Sequence, residues 1–122
     1  MPIRIQRKRT LGYRMPEGAI YVGRPTVFGN PYDVETYGRE LSIKLFAETA
    51  IGGWNPSLFP RGDKWDALVN AAYAAHCAWL KRIGPRSWET IRCELRGHDL
   101  ACWCALSEPL CHAETLLRIA NE

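Results

Sequence analysis

At 122 residues, 47% hydrophobic and 24% charged, the chain has the size and composition of one ordinary globular domain spanning residues 1–122. Its longest apolar run, residues 100–106, falls far short of the about 20 residues that cross a bilayer, and the basic N-terminus lacks the apolar stretch of a secretory signal. A cytoplasmic protein with no membrane partner is expected, its five cysteines serving as thiols or metal ligands and not as a disulfide framework.

The net charge is only +3, but Arg4, Arg7, Lys8, Arg9, Arg14 and Arg24 face a single acid, Glu17, in the first 24 residues. Residues 3–9 alternate weakly, with Ile3 and Ile5 on one side, and read as an edge strand. The basic run either guards that edge or meets phosphates; no aromatic residue is interleaved with it, as single-strand binders usually require. Met15-Pro16-Glu17-Gly18 marks a turn, the one place where a tight hairpin would fit. Residues 19–22 are a second strand. A loop rich in Gly and Pro follows, Gly23-Arg24-Pro25-Thr26-Val27-Phe28-Gly29-Asn30-Pro31-Tyr32.

Residues 37–51 predict a helix with Ile43, Phe46, Ala47 and Ala50 as its apolar stripe, stopped by Gly52-Gly53. Residues 54–62 predict a loop. The clearest helix covers residues 63–83, with Trp65, Leu68, Val69, Ala72, His76, Trp79, Leu80 and Ile83 on one face. A lone His at such a position is most simply a hydrogen-bonded core residue. A shorter helix over residues 87–95 puts Trp88, Ile91 and Leu95 together, and Cys93 reads as a packed thiol. Residues 100–106 are apolar on both faces, the pattern of a strand covered on both sides. Ser107 or Glu108 would then cap a last helix, with Pro109 in its first turn and Leu116, Leu117 and Ala120 facing inward. The fold class expected is α/β: a small, mostly parallel sheet with helices packed on its faces, a single layer-sandwich domain.

Ligands of open α/β sheets bind beyond the carboxyl ends of strands. If the strands at Ile20 and Cys102 are parallel neighbours, the loop over residues 24–32 and the segment over residues 102–112 meet at one edge. In the loop, Gly23 and Gly29 allow close approach of backbone, Arg24 can grip a phosphate or carboxylate, and Asn30 can orient a ligand. The alternative is a rigid turn, with Pro25 and Pro31 fixing φ and Asn30 bonding its own backbone.

Cys102, Cys104, Cys111 and His112 admit three readings. As a Cys₃His set they would suit tetrahedral zinc. As a catalytic group, Cys111 at a helix start would be favoured as a thiolate, with Cys104 and His112 beside it. As core residues, Cys102 and Cys104 would be inert thiols.

The glycine-proline loop, together with Glu94-Leu95-Arg96-Gly97-His98-Asp99-Leu100-Ala101-Cys102-Trp103-Cys104 and Cys111-His112-Ala113, resembles the DUF4326 family of small bacterial and bacteriophage proteins of unknown function. The resemblance extends from about Ile20 to Asn121. The Cys-His end is more weakly similar to the DUF488 family, and both resemblances imply a relation to nucleotide-binding α/β folds. One departure stands out. Family members commonly carry Pro directly before Cys-His, whereas Leu110 separates Pro109 from Cys111 here, and one residue rotates a helical position by about 100°.

The function expected is binding, and in an enzyme processing, of a nucleotide-like or phosphorylated small ligand between the two segments. N-glycosidic or phosphoryl chemistry, by a hydrolase or transferase without cofactor, is the expected class. No conspicuous carboxylate pair supports glycosidic hydrolysis. The alternatives are a zinc-stabilised accessory protein and a nucleic-acid-binding protein using the basic N-terminal strand.

Overall fold

The computed structural model describes residues 2–122. Three short strands, β1 (Arg4–Gln6), β2 (Ile20–Tyr21) and β3 (Leu100–Cys102), form a parallel sheet in the order β1-β3-β2. Arg4 and Ile20 both lie level with Leu100, and Gln6 with Cys102. The strand whose residues are apolar on both faces takes the centre, with all three of them buried, as its sequence requires. β1 and β2 occupy the edges. The turn at residues 15–18 therefore makes no hairpin: β3 lies between the strands on either side of it.

Five α-helices follow the same chain order. α1 (Val34–Tyr37) is a single turn that periodicity could not reveal; Asp33 caps it by accepting the Thr36 N–H at 2.6 Å. In α2 (Arg39–Ala50) the buried face is Ser42, Leu45, Phe46, Thr49 and Ala50, rotated away from the expected Ile43 and Ala47. Polar residues can sit there because they are hydrogen-bonded. The Ser42 hydroxyl donates to the Tyr32 carbonyl, and Thr49 Oγ1 lies 2.6 Å from the Tyr32 hydroxyl and 3.0 Å from His76 Nδ1.

A 3-10 turn, Pro56–Leu58, interrupts the following loop. α3 (Trp65–Ile83) buries Ala72, His76, Trp79 and Ile83, the face expected. His76 is a hydrogen-bonded core residue. α4 (Ser87–Leu95) buries Ser87, Ile91 and Leu95, a row at four-residue spacing. Trp88 stands one step off that row. It lies outside, 40% exposed, with the Arg92 guanidinium over its ring. Cys93 is exposed as well and is not the packed thiol expected.

α5 (His112–Asn121) starts later than Ser107-Glu108-Pro109 predicts, with Cys111 as N-cap. The intervening residues are held in a loop. Arg4 Nη2 donates to the Leu106 and Glu108 carbonyls at 3.1 and 2.7 Å, and the Glu108 carboxylate accepts the Leu110 N–H at 3.0 Å. Those backbone groups are thereby unavailable for a helix. α5 packs on β1 and β3 and against α2 and α4, burying Ala113, Leu116, Ile119 and Ala120; Leu117 is only partly buried. Among the described residues no helix is long and apolar enough to cross a membrane.

Candidate functional site

Because β2 and β3 are parallel neighbours, the chain leaves both at the same edge, and the two loops meet there. Between them lies a cleft of about 700 Å³, lined among others by Tyr21, Arg24, Arg39, Trp103, Cys104 and His112. Small-molecule sites span roughly 300–1,000 Å³.

The first loop is braced by its own residues. Asn30 lines the cleft, but its side-chain oxygen accepts the Tyr32 N–H and its Nδ2 donates to Ser42 Oγ, both at 2.9 Å. Its amide therefore ties the loop to α2. Arg24 Nε donates to the Asn30 carbonyl at 2.9 Å, and the rest of this exposed guanidinium points no bond back into the protein among the described residues. Both glycines are required by packing, and Gly23 also lines the cleft. A Cβ at Gly23 would meet the Tyr21 hydroxyl at 2.5 Å, and one at Gly29 would meet the Arg24 backbone at 3.1 Å. Pro25, after a cis peptide bond, and Gly29 do not line the cleft.

The opposite wall carries the thiols. The sulfurs of Cys102, Cys104 and Cys111 all lie within 4.8 Å of one another, and Cys102 and Cys111 are 3.0 Å apart. His112 is not part of this group, so the expected Cys₃His set is not assembled. The His112 ring turns inward. Its Nε2 is 2.9 Å from the Val22 carbonyl, which can only accept, so Nε2 carries the proton. Phe46 packs edge-on against the ring.

Cys111 is 1% exposed, yet its thiol is held well below the ordinary value. Hydrogen bonds from the Cys102 and Cys104 thiols are the main cause; burial opposes them, and Arg4 and the Ala113 N–H assist. Cys102 is pushed up correspondingly, by its bonds to Cys104 and Cys111 and by burial. Within the cluster Cys111 is therefore the more acidic thiol and Cys102 the less acidic one. A thiolate at a helix N-terminus is favoured by the macrodipole.

Two arginines that the sequence did not mark as site residues border the thiols, Arg39 in the cleft wall and Arg4 outside its lining. Arg4 has a side chain only 5% exposed, unlike its neighbours in the basic run. Burial works against its charge, but Cys111 and Glu114 outweigh that and raise its pKa. Its Nη1 and Nε have no hydrogen-bond partner, although Nε lies 3.2 Å from the Glu114 carboxylate. By alternation with Ile3 and Ile5 it would face away from the core; the structure instead buries Arg4 and leaves Ile3 exposed. Arg39 is the first residue of α2, where the helix dipole disfavours a cation. It is held there from the other wall: Nη1 donates to the Leu110 carbonyl at 3.1 Å and lies 3.8 Å from Cys104 Sγ, and Nε is 3.7 Å from Glu108.

The two buried histidines set a pH limit on the fold. Burial lowers the pKa of both His76 and His112 below the ordinary 6.5. The folded state then binds fewer protons than the unfolded state in mild acid, so their contribution is complete above pH 6.5 and is lost as the pH falls below it. Urea midpoints should be flat above that value and decline beneath it, less steeply in His112→Gln. Equal slopes for the two proteins would remove His112 as a cause.

No curated protein and no solved structure is significantly similar to the chain. The family profile described as a domain of unknown function, DUF4326, matches residues 5–122. That stretch contains both loops, the thiol cluster and every strand but the first residue of β1, and the chain belongs to the DUF4326 family.

Proposed function

We propose that the cleft binds a small phosphorylated or nucleotide-like ligand and that Cys111 is its nucleophile, its sulfur bonding to phosphorus as the P–O bond to the ester oxygen breaks and that oxygen leaves with the electron pair to take a proton from solvent. The observation that carries this reading is the convergence of Arg24, Arg39 and the Cys111 thiol in one cavity of ligand size. Guanidinium groups grip phosphate through a planar fork, and a thiolate set at a helix start is the reactive form of cysteine. Arg24 approaches from the glycine-proline loop and Arg39 from the start of α2, so an anionic group between them would be held from two sides. Tyr21 and Trp103 offer the apolar surface that a base would need. The neutral His112 acts as a brace, its Nε2 proton being donated to Val22.

The test is calorimetric binding of adenosine 5′-monophosphate. Charge-assisted hydrogen bonds contribute about 1.5–3 kcal/mol, so Arg24→Ala and Arg39→Ala should each weaken binding by about 10- to 100-fold. Unchanged affinity in both variants would remove the anion site.

The three sulfurs support a second reading, in which they hold a soft metal ion with the fourth position open to the cleft. Thiolates about 2.3 Å from zinc would require Cys102 and Cys111 to separate from their 3.0 Å contact. Native mass spectrometry distinguishes the readings: one zinc ion per chain, lost in Cys104→Ser, would replace the nucleophile by a metal ligand.

A further inference from the structure

The sheet edge beside the cleft carries a second assembly that the cleft does not absorb. Arg7 follows β1 directly, and its N–H donates to the Cys102 carbonyl at 2.7 Å. Its guanidinium lies 4.6 Å from the Tyr21 ring and 5.0 Å from the Trp103 ring, and that of Arg9 lies 4.7 Å from Trp103. The two rings meet edge to face at 6.2 Å. Nothing in sequence order brings Tyr21 and Trp103 near the basic run; the parallel pairing of β1, β3 and β2 does. Trp103 is 40% exposed; Arg9 on its ring and Arg24 across the cleft are exposed as well, as are Lys8 and Arg14 elsewhere in the basic stretch. Among the described residues none of these cations, nor Arg7, forms an ion pair.

Guanidinium groups held over aromatic faces keep their N–H edges free for anions. Unpaired cations around partly exposed rings are the components of single-strand binding, where phosphates meet the charges and bases meet the rings. Tyr21 and Trp103 also line the cleft, so the platform and the cavity form one continuous surface. A nucleotide that enters a cavity cannot remain paired and stacked in a duplex.

We propose that the ligand of the cleft is one nucleotide of a single-stranded nucleic acid, its flanking phosphates held by Arg7 and Arg9 and a neighbouring base lying against Trp103. This rests on the reading of the cleft as a phosphate-ligand site and names the form in which that ligand arrives. The charge complementarity is local. The overall charge of +3 is small, but the basic run concentrates it on this edge.

The experiment compares two probes on the full chain: labelled oligothymidylate or oligouridylate of about ten nucleotides, a typical single-strand site size, and adenosine 5′-monophosphate. The strand should bind more tightly than the mononucleotide. In the double variant Arg7→Ala/Arg9→Ala the slope of log affinity against log salt should fall by about 1.4, two contacts at about 0.7 each, while mononucleotide binding stays as it was. Trp103→Ala should weaken the strand about tenfold. Circular dichroism verifies that each variant is folded.

A strand that binds no better than the mononucleotide, while Arg39→Ala still loses the mononucleotide, overturns this inference and leaves the cleft reading standing. Strand affinity indifferent to Arg7 and Arg9 overturns it, as does equal competition by polyglutamate. Strand binding that needs Arg7 and Arg9 but ignores Arg39→Ala also overturns it, because no nucleotide then enters the cleft. If neither probe binds, both readings fall together.

Discussion

Replacing Arg4 with Ala should lower the unfolding free energy by about 1.5–3 kcal/mol, the range of a charged hydrogen bond, because its buried guanidinium holds two loop carbonyls while its partner Glu114 is half exposed. The side chain is 5% exposed and lies 3.2 Å from Glu114. It also donates to two loop carbonyls, those of Leu106 and Glu108. Ala would leave these acceptors without their donor and the Cys111 thiol without its neighbouring cation. Two readouts should therefore move together. The urea midpoint should drop, and the ultraviolet absorbance of the Cys111 thiolate should appear at higher pH.

A double-mutant cycle separates the two roles. In a Cys111→Ser background the thiol whose charged form Arg4 favours is already gone, so Arg4→Ala should cost less there than in the native chain. Equal costs in both backgrounds would mean that Arg4 only ties down the loop over residues 103–110. A total cost of under about 1 kcal/mol, the range of exposed ion pairs, would contradict its burial altogether.

Phe46→Ala should be more damaging, at about 3–5 kcal/mol for a fully buried aromatic. Phe46 is completely buried and joins two parts of the molecule. One edge packs on Trp79 of α3 and another on His112 at the start of α5, with both pairs of ring centroids 5.5 Å apart. The effect should extend to the site. With the brace gone, His112 is free to leave the Val22 carbonyl, and ligand affinity should fall along with stability. Phe46→Leu refills most of the volume and should recover much of both. An Ala variant with native affinity would show that the His112 position does not depend on this contact.

Much of the architecture was written in local patterns. The 3.6-residue spacing of Ala72, His76, Trp79 and Ile83 determined α3 and its inward face, and Gly84-Pro85 its end. The apolar run over residues 100–106 marked a central strand, of which only Leu100–Cys102 forms before the chain turns out into an exposed loop, and the glycine-proline loop and the Cys-His segment marked the two walls of the cleft. Such signals are legible because each depends on neighbours a few residues away.

What escaped was set by partners distant in sequence. The delayed start of α5 depends on Arg4, more than a hundred residues earlier, capturing the Leu106 and Glu108 carbonyls. The rotation of α2 depends on Tyr32 and His76 satisfying Ser42 and Thr49. Asn30 and His112 have the chemistry of ligand contacts, yet the fold uses their polar atoms to brace the loop and the Val22 carbonyl. Arg39 carries no motif and enters the site only because α2 begins opposite Leu110. The stacking of Arg7 and Arg9 on Tyr21 and Trp103 exists only once β3 has inserted between β1 and β2. The sequence by itself determined the long helices, the central strand and the two segments that meet at the cleft; the tertiary structure decided the short elements, the start of α5 and which polar atoms remain free, because those depend on which distant donors and acceptors folding brings within reach.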